Sequence, residues 1–427
     1  MGLARRKRRV YDTGMSVTLI DRLLSRIITR GRLALTYADG RQSVFGSPAP
    51  GFPEVAIRFA DKRVPRDIIS DPRLGAGEAY MDGRIIIEQG DVMEFVQLVQ
   101  ANRPWEDGIQ LGEPSVLRTT RDRLRFMLRS FNKPGSSRRN VSHHYDIGNQ
   151  LYRLMLDEEH MQYSCAYWPR DGMALAEAQE AKLAHIAAKL ALESGHRVLD
   201  IGCGWGGMAI FIARKTGAEV LGITLSEEQL ALARERAEAA GVSGKVRFEL
   251  VDYRDLAARG ELFDRIVSVG MFEHVGVPQY ETFFRSCARL LDEGGAMLLH
   301  TIGRLEGPTW TDAFTDKYIF PGGYIPALSE TVAASEKVRL ALTDVEILRF
   351  HYAKTLREWY RRCIENREEI VAMYDERFFR MWTFYLAGST ASFESGGMCN
   401  FQLQYSRRRD TLPLTRDYMA QAERELL

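Results

Sequence analysis

Residues 198–207 have the sequence Val-Leu-Asp-Ile-Gly-Cys-Gly-Trp-Gly-Gly, a buried-strand pattern that runs directly into four closely spaced glycines. Glycine lets the backbone approach a ligand where any Cβ would clash, and the next helix offers free backbone N–H groups. The spacing differs from the dinucleotide pattern GxGxxG, and the Lys-Ser/Thr pair of a phosphate-binding P-loop does not follow. The stretch therefore predicts a strand, a ligand-binding turn and a helix, with a nucleoside as the expected ligand.

Predicted strands and helices alternate around this stretch. Strands are predicted over 198–201, 219–224, 246–251, 263–270 and 296–302, and helices over 208–215, 227–240 and 279–291. Such alternation requires crossovers onto a mostly parallel sheet, so we predict an α/β fold. The alternation lapses from 301 to about 352, which predicts an inserted substrate lid over the carboxyl ends of the strands, where open α/β sheets bind ligands.

The N-terminal part has a different pattern, with strands predicted over 33–37 and 54–59 and a helix over 92–101. We predict a smaller α+β domain over 1–131, a linker over 132–140 and a catalytic domain over 141–427. Residues 16–30 have apolar positions at helical spacing, with Arg22, Arg26 and Arg30 among the polar ones. This basic amphipathic helix either packs on its own domain or lies on a membrane surface.

Composition limits the class of protein. The 427 residues exceed one ordinary core, and 45% apolar with 27% charged residues is typical of a globular chain. Five widely spaced cysteines without a CxxC pair argue against disulfides and a zinc site, and no HxxxH or HExxH pattern occurs, so no metal is expected. The longest apolar runs are too short to span a bilayer, and a secretory signal is not evident. We expect a cytoplasmic protein.

Basic charge is concentrated locally, although the net charge is only +1. The first 32 residues carry nine Arg or Lys residues against two Asp, and residues 118–139 carry eight against one. Such patches attract the phosphates of nucleic acid or of anionic lipid, so charge alone does not choose the partner.

The pattern Asp-x-Gly-x-Gly-x-Gly after a strand resembles the S-adenosylmethionine loop of the class I methyltransferases, which implies a Rossmann-like fold and that cofactor. Such enzymes commonly end the second strand with an acidic residue, whereas this strand ends at Thr224-Leu225. We expect Thr224 and Gln229 to reach the cofactor instead, with Ser226 as the helix N-cap. The expected cofactor-binding residues are Tyr163, Ser164, Asp200, Gly202, Cys203, Gly204, Thr224, Leu225, Gln229, Tyr253 and Gly270.

Five further segments occur in one order along the chain. They are His-Tyr-Asp-Ile-Gly-Asn at 144–149, Gln-Tyr-Ser-Cys-Ala-Tyr-Trp at 162–168, Gly-Met-Phe-Glu-His-Val-Gly at 270–276, His-Thr-Ile-Gly at 300–303 and His-Tyr-Ala-Lys-Thr-Leu at 351–356. Together they resemble the cyclopropane-fatty-acyl-phospholipid synthase family, which includes the mycolic acid cyclopropane synthases. The segment at 75–83 resembles the extra N-terminal domain of the phospholipid-acting bacterial branch.

This resemblance implies transfer of a methylene from S-adenosylmethionine to the cis double bond of a phospholipid acyl chain, which gives a cyclopropane fatty acid. In the family the general base is bicarbonate, and the matching positions are Cys165, Glu273, His300, Ile302 and Tyr352. The extra domain implies a homodimer that associates peripherally with the inner face of the cell membrane, where the basic segments would contact anionic lipid.

The residue types suit that chemistry. An isolated alkene is a weak nucleophile, so it must be held in a dry site, and its attack leaves a carbocation that aromatic faces such as Tyr163, Tyr167 and Tyr352 stabilise. For Trp168 and Tyr318 we prefer a core position.

A small oxyanion would be held by backbone N–H groups near Cys165 and Ile302 and by donors on His300 and Tyr352, with Glu273 orienting its neighbours. We reject Cys165 as a nucleophile, because no acyl-transfer motif accompanies it and a thiolate beside a sulfonium risks alkylation.

Other functions remain open at this level. Family relatives methylate acyl chains without closing the ring, and a small-molecule N- or O-methyltransferase would share the fold. A basic nucleic-acid-binding protein with a vestigial fold is a more distant alternative, since interleaved aromatic residues and nucleic-acid-binding signatures are absent from the basic segments. We therefore expect no nucleic-acid partner.

Overall fold

The structure is a computed structural model that describes residues 13–108 and 148–427. The chain divides into two compact units. One contains the N-terminal residues, Asp312–Phe314 and Arg367–Gly396, and the other contains the remaining C-terminal part. The predicted linker at 132–140 and the basic clusters at 5–9 and 118–139 lie outside the described residues. Within the described ranges, no helix is both long and apolar enough to cross a membrane.

The first unit is an α+β domain, as predicted. Its sheet has the order β2-β1-β3-β4, with strands β1 Gly31–Thr36, β2 Gln42–Ser47, β3 Glu54–Phe59 and β4 Ile85–Gln89. Its helices are α1 Thr13–Ile27, α2 Val64–Ser70, α3 Pro72–Met81, α4 Val92–Ala101, α14 Arg367–Met373 and α15 Glu376–Glu394.

Helix α1 packs on the core of its own unit. Ile20 is fully buried and Ile27 nearly so, both within the cluster formed by the apolar faces of the four strands. Arg22 and Arg26 lie on the exposed side of the helix. The amphipathic pattern therefore covers a domain core with its apolar face and presents arginines outward.

The assignment of 367–396 to the first unit differs from the domain division expected from sequence, which placed these residues in the catalytic domain. Gln97 in α4 donates a hydrogen bond to Glu394 in α15 at 2.7 Å, and Arg377 pairs with Asp82 at 2.8 Å. Trp382 of α15 is fully buried. Sequence patterns report local structure, so they gave no sign of this long-range packing.

The second unit is built on a seven-stranded sheet with the order β10-β11-β9-β8-β5-β6-β7. Strands β5 to β9 pair in parallel, and β11 and β10 add antiparallel strands at one edge. The strands are β5 Arg197–Ile201, β6 Glu219–Thr224, β7 Val246–Leu250, β8 Phe263–Val269, β9 Leu291–Arg304, β10 Ala341–Leu348 and β11 Met398–Ser406. The predicted mostly parallel α/β sheet is confirmed.

Helices cover both faces of this sheet. The helices of this unit are α5 Asn149–Met155, α6 Leu175–Lys189, α7 Gly207–Thr216, α8 Glu227–Ala239, α9 Tyr253–Ala258, α10 Tyr280–Leu290, α12 Leu328–Glu336, α13 His351–Glu365 and α16 Asp417–Leu426. The short helix α11 Ala313–Tyr318 has its first residues in the first unit and the rest in the second. Alternate residues of each strand enter different cores: Val198 and Val220 pack with α6 to α8, whereas Leu199 and Leu221 pack with α9 and α10. This is the burial pattern of a central parallel sheet.

The long connection between β9 and β10 replaces the regular alternation, as the sequence indicated. The backbone N–H of Tyr324 in this connection donates to the carbonyl oxygen of Glu273 at 2.9 Å. The connection thus contacts the short 3₁₀ turn Phe272–His274, which follows β8 at the carboxyl edge of the sheet.

Candidate functional site

A pocket lies at the carboxyl edge of the sheet, beside the point where the strand order reverses between β5 and β8. Gly202 follows β5 and Gly270 follows β8, and both line the pocket. In open α/β sheets this switch point is the usual ligand site. All eleven residues expected to bind the cofactor line this one pocket. Further residues that line the pocket, outside the expected cofactor-binding set, include Met161, Gln162, Trp205, Asp252, Arg254 and His274.

The glycine loop needs its glycines for conformation and for space. Gly202 has φ +82° and Gly206 has φ +80°, in the left-handed region that other residues rarely adopt. A Cβ on Gly202 would lie 2.8 Å from Cβ of Met271, and one on Gly206 would lie 2.6 Å from the ring of Phe248. The loop therefore passes between neighbouring side chains while its backbone faces the pocket.

The end of β6 supplies hydroxyl and amide groups instead of an acid. Thr224 Oγ1 donates to Gln229 Oε1 at 2.9 Å, and both side chains are buried and line the pocket. Ser226 accepts a hydrogen bond from the N–H of Gln229 at 3.3 Å, so the predicted N-cap is confirmed.

Asp252 and Arg254 form the next part of the pocket wall. Asp252 is buried, caps α9 and pairs with Arg254 at 2.6 Å, while Tyr253 beside them is also buried. The three residues form a polar wall of the pocket rather than a solvated surface.

A buried pair of opposite charges underlies the glycine loop. Burial raises the pKa of Asp200 to about 7, and the charge of Lys182 opposes this rise. Burial likewise lowers the pKa of Lys182 to about 7, opposed by Asp157, Cys165 and Asp200. Asp200 Oδ2 has no hydrogen-bond partner within the described part of the chain. The pocket thus contains a carboxyl group whose charge changes near neutral pH.

Lys182 also holds the segment that closes the pocket. Its ammonium donates to Gln162 and, at 3.0 Å, to Ser164. Gln179, one turn earlier, donates to the carbonyl oxygen of Ser164 at 3.1 Å. Neither residue was predicted from sequence. Helical spacing places four polar side chains on one face of α6, and all four are buried: Gln179, Lys182, His185 and Lys189.

A second group of residues follows β8 and β9 at the same edge. Glu273 is partly buried, and burial raises the pKa of its carboxyl group, against the effect of the hydrogen bond from the N–H of Ile302. That N–H donates to Glu273 Oε1 at 2.6 Å. The N–H of Ile302 therefore already has a carboxylate acceptor. Glu273 Oε2 has no partner among residues 13–108 and 148–427.

His300 lies two residues before Ile302 on β9 and is 1% exposed. Burial lowers the pKa of His300 well below its usual value, and the charges of Lys182 and Lys189 lower it further. The ring is therefore neutral at neutral pH. Its Nδ1 lies 3.1 Å from Gln402 Nε2, whereas Nε2 has no partner in the described ranges.

Cys165 and Tyr352 come from other elements. Cys165 is fully buried, and burial raises the pKa of its thiol, which disfavours a thiolate. The next N–H, that of Ala166, donates to Thr355 Oγ1 at 3.1 Å, so the 163–168 segment is tied to α13. Tyr352 of the same helix packs edge-on against Trp359, which in turn contacts the ring of Tyr163.

The aromatic residues divide into two groups. Tyr163 lines the pocket, whereas Tyr167 stacks on His185 at 4.0 Å and also against His351. Trp168 is half-buried and donates through its indole N–H to Thr355 Oγ1 at 3.1 Å.

The buried polar atoms fit a small oxyanion beside the pocket. Glu273 Oε2, in the turn that follows β8, and His300 Nε2, on the neighbouring strand β9, are buried side-chain atoms without partners in the described chain. Buried polar groups are normally paired, so such atoms mark a place for a polar ligand. A protonated oxygen of bicarbonate would match a carboxylate acceptor, and another oxygen would match an N–H donor.

Comparisons with known proteins agree with this site. The family model described as mycolic acid cyclopropane synthetase matches residues 132–403, well over half of the chain. The chain belongs to this family. A second model, a domain of unknown function, matches residues 19–104.

The cyclopropane-fatty-acyl-phospholipid synthase of Escherichia coli is 40% identical over 82% of this chain and 87% of its own. A probable fatty acid methyltransferase of Pseudomonas putida is 37% identical over 91% and 96%. The structure of a cyclopropane synthase from Mycobacterium tuberculosis is 33% identical, with a TM-score of 0.59, and covers 63% of this chain and 97% of its own.

Another solved mycolic acid cyclopropane synthase, complexed with S-adenosylhomocysteine, is 34% identical with the same TM-score and the same coverage. As a member of the family, the protein is an S-adenosylmethionine-dependent methyltransferase that modifies fatty acids. The N-terminal part of its first unit contains the second match, at 19–104, whereas residues 312–314 and 367–396 of that unit lie within the first match.

Proposed function

We propose that the protein transfers a methylene from S-adenosylmethionine to the cis double bond of an unsaturated acyl chain in a membrane phospholipid, which gives a cyclopropane fatty acid. The observation that carries the proposal is the pair of enclosed, unpartnered atoms, Glu273 Oε2 and His300 Nε2, at the sheet edge that also bears the cofactor pocket. Simple methyl transfer to an amine or hydroxyl would not need a second, anion-sized polar site.

Residues of the pocket would bind and orient the cofactor. S-adenosylmethionine supplies the electrophilic methyl group. The glycine loop would let the cofactor approach the backbone closely. Thr224 and Gln229 would hydrogen-bond to it, and Asp200 would contribute a buried carboxylate. Tyr163 presents an aromatic ring at the wall, suited to a cationic centre.

Residues of the second group would hold the base. Bicarbonate supplies an acceptor for the proton that leaves the transferred methyl before the ring closes. Glu273 accepts a hydrogen bond through Oε2 while Ile302 fixes Oε1, and neutral His300 donates through Nε2. Cys165 and Tyr352 complete the proposed set, and the buried Cys165 remains a thiol.

The lipid product tests the proposal. The full chain is expressed in a bacterial host that makes unsaturated phospholipids but lacks its own cyclopropane synthase. The proposal predicts acyl chains heavier by one CH₂, with loss of the alkene and with ring protons at high field in the NMR spectrum. Unchanged lipids despite soluble, S-adenosylmethionine-binding protein would contradict it.

Methylation without ring closure is the second candidate. It is favoured by the length of the match to the Pseudomonas putida relative, 91% of this chain, because that relative is named a probable fatty acid methyltransferase. The same spectra separate the two outcomes. A branched chain that stays unsaturated adds the same CH₂ but keeps a double bond, and a saturated methyl branch adds CH₄, since it also takes up hydride from a reductant. Neither branched chain shows high-field ring protons.

The proposal includes peripheral docking on anionic membrane, with a homodimer as the expected assembly. The support is the exposed arginine side of α1, which carries Arg22 and Arg26. Each basic residue near an anionic surface contributes about 1 kcal/mol. Arg22→Ala/Arg26→Ala should reduce sedimentation with anionic vesicles, and binding insensitive to anionic lipid content would count against docking. Light scattering tests the dimer.

A further inference from the structure

A line of buried polar side chains leads away from His300. His300 on β9 and Gln402 on β11 are directly opposite each other in the antiparallel pair. Gln402 Nε2 lies 3.1 Å from His300 Nδ1, and Gln402 Oε1 lies 2.7 Å from Nζ of Lys189. All three residues are at most 1% exposed. Water is therefore not a competing partner for these groups.

Lys189 is anchored as a cation on its other side. Its ammonium pairs with Glu346, which also lies 2.7 Å from His185 Nε2. Burial opposes ionisation of Glu346, but the hydrogen bonds and charges of His185 and Lys189 outweigh it and lower the pKa of Glu346 to about 2. The glutamate is thus a carboxylate at neutral pH. Burial lowers the pKa of Lys189, and the charge and hydrogen bond of Glu346 oppose this shift, so the ion pair stabilises the ammonium form as the counter-ion of Glu346.

This chain of contacts determines which way each group is oriented. An ammonium group only donates, so Gln402 must turn its carbonyl oxygen to Lys189. The amide nitrogen of Gln402 then faces His300 and donates to Nδ1. A neutral imidazole whose Nδ1 accepts carries its proton on Nε2. The opposite tautomer would place two N–H groups against each other in a buried site.

We propose that Gln402, oriented by Lys189, is a positioning residue that holds His300 in the Nε2–H tautomer, so that His300 donates a hydrogen bond to the oxyanion bound beside the cofactor pocket. The hydrogen bond to the anion rests on the proposed function, whereas the assignment of the His300 tautomer follows from the protein contacts alone. With Nδ1 protonated, His300 would present a lone pair to an anion and repel it. Lys189 and Gln402 therefore act on the reaction through His300 without touching substrate.

Gln402→Met is the informative variant. Methionine has similar length and no charge, and it removes the donor to Nδ1. Gln404→Met is the matched control, because Gln404 lies two residues along the same strand and is also buried. Its side chain contacts the backbone carbonyl oxygen of Lys189, Tyr418 and Thr343, and not His300 or the Lys189 ammonium group. Both variants lose one buried amide, so a general loss of packing should affect them alike.

The tautomer is measured by ¹⁵N NMR of histidine-labelled full-length protein, with the His300 signals assigned from their loss in His300→Gln. Wild type and Gln404→Met should show neutral His300 with the proton on Nε2, and Gln402→Met should populate the Nδ1–H form. The product-forming kcat of Gln402→Met should fall by about 10- to 100-fold. Its KM for S-adenosylmethionine should stay unchanged, with more bicarbonate needed for half-maximal rate.

Two results would overturn the inference: wild-type His300 with its proton on Nδ1, or an unaltered Nε2–H tautomer in Gln402→Met. The spectra are independent of product formation. If the tautomers are as stated but no lipid is modified, the proposed function fails and the tautomer assignment stands. If lipid is modified and the wild-type tautomer is the other one, only this inference fails.

Discussion

Asp200 is a carboxyl group enclosed in a pocket that should receive a sulfonium cation. Burial raises its pKa to about 7, so the group is largely protonated at pH 6 and largely ionised at pH 8. Only the ionised form attracts a cation. We expect S-adenosylmethionine to bind about tenfold more weakly at pH 6 than at pH 8, since one pKa unit corresponds to a factor of about ten.

Titration calorimetry across this pH range measures the effect. Asp200→Asn should bind more weakly and show a shallower pH dependence, since only Lys182 then titrates over this range. Asp255→Asn, at an exposed acid on α9, should keep the wild-type profile. An equally steep profile in Asp200→Asn would show that another group is responsible.

Glu273 is expected to act in turnover rather than in cofactor binding. Glu273→Gln keeps an oxygen for the N–H of Ile302 but removes the carboxylate charge. Product formation should fall by about 10²-fold or more, the usual range for a lost acid–base group. S-adenosylmethionine affinity should be unchanged. Glu281→Gln, an acid paired with Arg285 on the exposed side of α10, should behave as wild type.

At the scale of residues, sequence predicted those whose position follows from local pattern. The glycine loop, Thr224 and the Ser226 cap were predictable because strand ends and helix starts have chemical signatures. Lys182 and Gln402 were not, since their partners come from distant elements. The hydrogen bond from the N–H of Ile302 to Glu273 was not predictable either, because the two residues are 29 positions apart.

At the scale of elements, helix α7 depends on Gly207 at its first turn. A Cβ at Gly207 would lie 2.1 Å from the carbonyl oxygen of His160 and 2.5 Å from Gln162 Nε2. Gly207→Ala should therefore displace the 160–162 segment, which lines the pocket. We expect destabilisation of about 1–3 kcal/mol and weaker S-adenosylmethionine binding.

Gly244→Ala is the matched control, because no atom lies within 4 Å of its added Cβ. Chemical denaturation and calorimetry measure the two variants together. Equal stability and affinity of both would contradict the close approach of α7 to residues 160–162.

Two substitutions in helix α1 test whether its apolar side packs on the domain core or is available for insertion into a membrane. Ile20 is fully buried in the N-terminal core, whereas its neighbour Leu19 is 42% exposed. Ile20→Ala should lower the free energy of unfolding of this unit by about 2–5 kcal/mol. Leu19→Ala should change it by less than about 0.5 kcal/mol. Urea unfolding in the absence of lipid measures both, and similar values would mean that the helix is not held by its core.

Element types were more predictable than element limits. Strands β3 and β6 and helix α4 have the predicted bounds, because their hydrophobic patterns are regular. Strand β9 extends over 14 residues, beyond the predicted seven at 296–302. Pairing with β11 adds residues 303–304, and Leu291 at the other end pairs with β8. Strands β2, β4, β10 and β11 were missed, and β2 has only Phe45 buried, so it lacks a strong apolar alternation.

At the scale of the whole molecule, the two-unit organisation followed from length and from the change of pattern along the chain. The assignment of residues 367–396 to the first unit could not be predicted, because the local pattern of a helix does not show which distant element it packs against. The family was recognisable from motifs that come together only in the folded sheet. The distinction between ring closure and methylation depends on the proton acceptor beside the cofactor.

The most direct test of whether bicarbonate is this acceptor is an assay of purified full-length protein. The protein is given S-adenosylmethionine and unsaturated phospholipid vesicles in CO₂-free buffer, to which bicarbonate is added in steps. Cyclopropane formation should rise with bicarbonate and saturate, while S-adenosylmethionine binding stays constant. Ring formation at an undiminished rate in bicarbonate-depleted buffer would contradict the account.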